Sequence, residues 1–240
     1  MNINTVLGVT SAAAFALPIL IIIFSRLFIN VSLFALVVYF FSAFFCNLLS
    51  ENIIVLSPSL ETSLAVISNY LDVPLILLSV RMFSTEKWMD KAISIGLAAF
   101  LGYELIIFFN YRLLPVSTKY VMGPGIVLIV VISLYLFINN IKRTIMQGKG
   151  IGKTLIITSI LFAYGSYLLV YIFFYIQKTS NKADVFTIYY LSSIIFSLLM
   201  ASGLFWVRKR FNEIKEVHTT RKELGVFFDH SITPRNRFLQ

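Results

Sequence analysis

The chain has 240 residues, of which 58% are hydrophobic, 15% aromatic and only 13% charged, with a mean hydropathy of +0.86. A soluble globular domain carries about 25% charged residues, so this composition excludes an ordinary soluble enzyme, and its hydrophobicity excludes a disordered chain. What remains is a polytopic membrane protein; its net charge of +9, from 20 Lys+Arg against 11 Asp+Glu, lies mostly in loops and a tail.

A bilayer core of about 30 Å is crossed by about 20 mainly apolar helical residues. Seven stretches meet that requirement: residues 6–25, 31–50, 61–82, 92–111, 121–141, 154–177 and 185–207. The expected fold is therefore all-α, a seven-transmembrane-helix bundle over residues 1–207 followed by a basic tail at 208–240. Residues 1–25 lack a positive n-region and are long enough to span, so the first segment reads as a retained helix rather than a cleaved signal. Short connections make sequential helices antiparallel neighbours. Asn30, Ser57-Pro58-Ser59, Pro115 and the glycines Gly148, Gly150 and Gly152 are placed between helices, where turn chemistry belongs. Pro18, Pro74 and Pro124 fall within or at the edge of spans, which a bundle tolerates when neighbours satisfy the freed carbonyls.

Basic residues set the orientation. One side holds Arg26, then Arg81, Lys87 and Lys91, then Lys142, Arg143, Lys149 and Lys153, and finally the eight basic residues of the tail. The other side holds only Arg112, Lys119, Lys178 and Lys182. The expected topology has the N-terminus outside and the C-terminus inside, in a multi-pass cell-membrane protein such as one of a bacterial inner membrane. Arg208-Lys209-Arg210 reads as a stop-transfer cluster, and Phe211, Ile214 and Val217 follow at helical spacing, which suggests a short amphipathic helix on anionic lipid of the inner leaflet.

The polar residues at membrane depth are the candidate functional groups. Asp72 lies about twelve residues into the third helix, and an acid there costs roughly 2.5–3.5 kcal/mol on insertion scales. It should face the bundle interior, neutral and hydrogen-bonded to Ser68, to Asn69 or to a hydroxyl from another helix. Glu104, nearer the outer end of the fourth helix, is within reach of an outer water cavity, of Arg112 or of another helix. Glu51 and Glu61 read as solvated rim charges. Tyr164, Tyr167, Tyr171 and Tyr175 are spaced 3, 4 and 4, so they form one stripe on the sixth helix. Such a stripe either lines a pocket for a flat apolar ligand or packs between helices, with Tyr189 and Tyr190 nearby on the seventh.

Two chemistries are excluded. The segment Gln147-Gly148-Lys149-Gly150-Ile151-Gly152-Lys153-Thr154 has Gln147 where a phosphate loop needs its first glycine, and no strand precedes it, so it reads as a basic loop near anionic lipid. Cys46 is the single cysteine, and the only histidines, His218 and His230, are in the tail, so no metal-ligating framework exists. No enzyme activity is expected, because no serine or cysteine in the spans has a credible base beside it.

Seven helices in this length, with short loops and an outside N-terminus, resemble the microbial (type 1) rhodopsins. In that family the third helix carries R-Y-x-D, and Asn69-Tyr70-Leu71-Asp72 keeps the Tyr and the Asp. The resemblance makes Asp72 the equivalent of the primary counterion, with Asn69 replacing the arginine. The family's seventh-helix pattern Y-x-L-x-D-x-x-x-K is similar to Tyr189-Tyr190-Leu191-Ser192-Ser193-Ile194-Ile195-Phe196-Ser197, where Ser193 replaces the aspartate and Ser197 the lysine. Tyr164-Gly165 stands where the family has Tyr-Pro. No lysine falls inside any expected span, so the resemblance implies a rhodopsin-like protein without covalent retinal.

Two functions remain open. One is a receptor-like, sensory or scaffold module that binds a small apolar ligand, such as a carotenoid held non-covalently, or a membrane partner. Its ligand-pocket candidates are Asp72, Asn69, Tyr70, Glu104, Tyr164, Tyr167, Tyr171, Ser193 and Ser197, and its basic inner face would meet a cytoplasmic or membrane signalling partner. The other is a proton- or cation-coupled transporter or channel using Asp72 and Glu104. The lipid bilayer is the expected environment, a homo-oligomer stays open, and nucleic acid is not an expected partner.

Overall fold

The computed structural model describes residues 3–84, 86–147, 150–177 and 182–232. Their backbone is helical almost throughout, and among them seven helices are long and apolar enough to cross a membrane. These are α1 (Ile3–Phe24), α2 (Val31–Ser50), α3 (Pro58–Val80), α4 (Lys87–Tyr111), α5 (Pro115–Gln147), α6 (Ile151–Tyr171) and α7 (Lys182–Ile232). A single π-helical turn, Ile172–Ile176, extends α6. Each helix packs on the next in sequence, and α7 returns to α1 and closes the ring. Helix α4 stands outside that ring: it touches α3 and α5, which also touch each other, and it is the least buried of the seven.

Helix starts follow local chemistry. Asn30 caps α2, its side chain accepting a hydrogen bond from the Ser32 amide. Pro58 and Pro115 are the first residues of α3 and α5, not loop residues as the sequence suggested. The reason is that a proline loses nothing at the first helical position, where its missing N–H would have no partner. Gly150 takes the left-handed conformation, φ 98°, that turns the chain into α6. Gly152, expected in that loop, instead lies inside α6 against α7. A Cβ on Gly152 would stand 2.8 Å from both the Gly203 carbonyl oxygen and the Val207 nitrogen, so two backbones meet where only glycine fits.

The core runs through the ring. Phe40 of α2 stacks on Phe196 of α7 with centroids 5.2 Å apart, and Phe15 of α1 tilts against Phe40 at 5.9 Å. Pro124 removes the amide that would bond the Tyr120 carbonyl, and the Tyr103 hydroxyl of α4 donates to that oxygen at 2.9 Å. Thus the one helix outside the ring is fastened to α5 at the break in its backbone ladder. Beyond the C-terminal end of α3 Arg81 makes a two-point pair with Asp90, at 2.6 and 3.1 Å, joining the turn after α3 to the first turns of α4. Both side chains are exposed, so the pair contributes little beyond orientation.

The tail departs from expectation. Arg208-Lys209-Arg210 does not end α7; the backbone stays helical through Ile232. Phe211, Ile214 and Val217 therefore belong to α7 itself rather than to a separate amphipathic helix. Residues 233–240, the end of the expected tail, lie outside the described residues.

Candidate functional site

The third helix turns Asp72 inward, and its partner comes from across the ring. The Tyr164 hydroxyl of α6 donates to Asp72 Oδ1 at 2.9 Å. Tyr164 is wholly buried, whereas Asp72 is partly buried. Three residues on, Tyr167 crosses to α7, its hydroxyl 3.1 Å from Ser193 Oγ. The two rings meet edge to face at 5.5 Å, and Tyr167 also lies 5.5 Å from the Tyr189 ring. Tyr39 of α2, buried beside them, sits edge-on to Phe40 at 5.2 Å and to Phe196 at 6.1 Å. Asp72, Tyr164, Tyr167, Ser193, Tyr189 and Tyr39 thus form one cluster drawn from α2, α3, α6 and α7.

The neighbours proposed from helical spacing serve elsewhere. Ser68 pairs with Ser42 of α2 at 2.9 Å, and Asn69 donates to Thr118 of α5 at 3.5 Å. Asp72 receives the hydroxyl from another helix, the third of the expected partners. The tyrosine stripe also divides. Tyr164 and Tyr167 enter the cluster, but Tyr171 turns to α5, where its hydroxyl donates to the Lys119 carbonyl at 3.0 Å. Tyr171 crosses directly over Gly123, where a Cβ would come within 2.6 Å of the phenol oxygen. Tyr175, in the π-helical turn, lies tilted against Tyr171 with ring centroids 5.2 Å apart.

Ser197, at the position matched to the retinal-binding lysine, is fully buried and donates to the Ser193 carbonyl at 2.8 Å. Its side chain offers a hydroxyl and no amine. Glu104 is 6% exposed, and its Oε1 has no hydrogen-bond partner; it does not pair with Arg112. Tyr70 turns towards α4, edge-on to Phe108 at 6.5 Å, with its hydroxyl buried and unpartnered. Among the described residues no group of three or more His, Cys, Asp or Glu side chains could hold a metal ion.

Glu51 is not the rim charge expected from sequence. Its Oε1 accepts from the Tyr190 hydroxyl of α7 at 2.7 Å, and its carboxyl lies so close over Gly8 of α1 that a Cβ there would overlap it. Glu51 stands at the C-cap of α2, so the carboxyl closes three helices together. Below it Asn47 donates to Ser11 of α1 at 3.3 Å, both buried. Tyr39, Tyr103 and Glu51 are the residues that sequence reasoning missed. A signal existed for Tyr103 alone, in the carbonyl that Pro124 must free.

No protein-family model, curated protein or solved structure matches the chain.

Proposed function

We propose that the protein is a receptor-like membrane module, with its N-terminus outside and its C-terminus in the cytoplasm, that takes a small apolar ligand at the Asp72–tyrosine cluster. The observation that carries this reading is the continuity of α7. The helix that supplies Tyr189 and Ser193 to the cluster runs unbroken for 51 residues into the basic tail. A change in the tyrosine contacts that biases α7 between two positions is delivered, without a hinge, to residues that a cytoplasmic partner can meet. The aromatic walls suit a flat apolar ligand, and the Asp72–Tyr164 pair gives it one polar point of reference. The basic residues in alternate connections and in the tail support this orientation.

Extraction of the protein from its native membrane tests the reading. An apolar compound should be retained in near-stoichiometric amount and recovered in organic solvent, and Tyr164→Phe should lower its retention. A spin label at the inner end of α7 should report a different environment once the compound is stripped. Failure to retain any apolar compound, with proteoliposome flux that Asp72→Asn reduces, would replace this reading with the transporter. The transporter has one observation in its favour, the unpartnered carboxyl oxygen of Glu104.

A further inference from the structure

At one end of the bundle α6 lies between α5 and α7 and packs on both. Two contacts in its first turn fix the arrangement. Thr154 meets α5, its hydroxyl oxygen 2.8 Å from that of Thr144. Gly152 meets α7, where a Cβ on it would stand 2.8 Å from the Gly203 carbonyl oxygen and from the Val207 nitrogen. Successive residues of a helix are turned by about 100°. Lys153, between those two, therefore leaves α6 in the angle between α5 and α7, and it is half-buried there. Arg210 stands seven residues, or two turns, beyond Gly203, on the side of α7 that Gly203 presents to α6. Arg143 directly precedes Thr144 and stands two turns beyond the buried Leu136, on the side of α5 turned into the bundle. Three helices thus each bring one cation to a single junction, and Lys153 is within electrostatic reach of both arginines.

Among the described residues none of the three makes an ion pair. Like charges gathered without a counter-ion repel one another, and an anion at the junction removes that cost. The membrane supplies the anion. The apolar stretch of α5 ends at Met146, that of α6 begins at Ile151 and that of α7 ends at Phe211, so the three cations stand at the depth of lipid headgroups. A single phosphodiester brings one negative charge, whereas a headgroup with two phosphates comes closer to balancing three cations. Arginine's planar fork holds a phosphate at two points and lysine adds a point charge, and basic pockets between membrane helices suit such headgroups. We propose that Arg143, Lys153 and Arg210 form a site for a phospholipid whose headgroup carries two phosphates. The site goes beyond the receptor-like reading and does not depend on it, because it uses no residue of the tyrosine cluster.

Native mass spectrometry of the full chain, purified in detergent and titrated with diphosphatidylglycerol, phosphatidylglycerol or phosphatidylcholine, tests the site. One diphosphatidylglycerol should be retained at the lowest lipid concentration, phosphatidylglycerol more weakly and phosphatidylcholine not at all. Arg143→Gln, Lys153→Gln and Arg210→Gln should each weaken apparent affinity by about fivefold, the effect of one basic residue at an anionic lipid surface. Lys142→Gln and Arg208→Gln remove the same charge from other sides of α5 and α7 and should leave binding nearly unchanged. Size-exclusion profile and circular dichroism establish that each variant is folded. If Lys153→Gln is not, the comparison of the exposed Arg143 and Arg210 with Lys142 and Arg208 decides. No retained diphosphatidylglycerol, equal retention of the one- and two-phosphate lipids, or equal loss in all five variants would overturn the proposal. Displacement of the bound lipid by an equal concentration of inorganic pyrophosphate would also overturn it, by making the occupant a soluble anion. None of these readouts depends on the apolar ligand, so the two readings fail separately.

Discussion

Helix α6 contains two glycines whose surroundings are opposite, and they give a controlled measure of how tightly α6 and α7 are joined. A Cβ on Gly165 would meet nothing within 4 Å, whereas one on Gly152 would meet backbone atoms of Gly203 and Val207 at 2.8 Å. Replacing either with alanine relieves the entropic cost of a glycine in a helix by about 0.5–1 kcal/mol. Only the Gly152 change must push two backbones apart, and inserting a methyl group into a packed contact costs about 1–3 kcal/mol. Gly152 is the second residue of α6 and Gly165 lies in its interior, so any difference in propensity gain favours Gly165→Ala and acts in the same direction as the clash. Gly152→Ala should therefore be about 1–3 kcal/mol less stable than Gly165→Ala, and Gly165→Ala should equal or slightly exceed the parent. Unfolding by sodium dodecyl sulfate in mixed micelles, followed by circular dichroism, measures the difference. Trp206 lies three residues from Gly203, so its fluorescence reports whether this part of α7 moves in Gly152→Ala. Equal stabilities for the two variants, with no change at Trp206, would refute the close approach.

Further outcomes are expected at other positions. Tyr103→Phe strips the donor from the carbonyl that Pro124 frees and should cost about 0.6 kcal/mol, the mean for such bonds in membranes. In a Pro124→Ala background the restored amide should make the same change nearly neutral, and a double-mutant cycle without coupling would count against the contact. Asp72→Asn keeps an acceptor for the Tyr164 hydroxyl and should be tolerated, whereas Asp72→Leu leaves that buried hydroxyl unpaired; micellar unfolding should rank them in that order. A fluorescent-protein fusion after Gln240 should be bright and a phosphatase fusion inactive, given the basic residues on that side; the reverse pattern would invert the topology.

The number of helices was legible because membrane depth demands long apolar runs. Their ends were not, because hydropathy falls before hydrogen bonding does. Lys87, Lys119 and Lys153 read as loop residues but lie in α4, α5 and α6. A helix can carry charge into the headgroup region, where flexible stems reach water. Asp72 was legible as an inward-facing group because a lone acid has few other places in a bilayer. Its partner was not, since Tyr164 is 92 residues away and Ser68 and Asn69 were the nearer candidates on the same face. Those two bond to α2 and α5 instead, across separations of 26 and 49 residues that only the helix arrangement determines. Glu51 follows an apolar run and so read as a solvated end; the groups that claim it, Tyr190 and Gly8, belong to the last and first helices.

The contacts of α7 with the ring differ in kind along its length, and that difference constrains how the helix could carry a signal. Tyr190 is tied to Glu51 by a single hydrogen bond towards the N-terminal end of α7, Ser193 to Tyr167 by another, and Gly203 to Gly152 by backbone packing. From Tyr190 to Gly203 is about 20 Å of helix at 1.5 Å per residue. A membrane hydrogen bond averages about 0.6 kcal/mol, so a small differential free energy suffices to release the first two contacts. The glycine contact has no side chain to rearrange and resists sliding, because any shift drives a neighbouring side chain into backbone. A signal passing along α7 would therefore be a tilt about Gly203 rather than a piston stroke. The N-terminal end of α7 would swing as the tyrosine contacts exchange, and the helix beyond Val207 would move in the opposite sense.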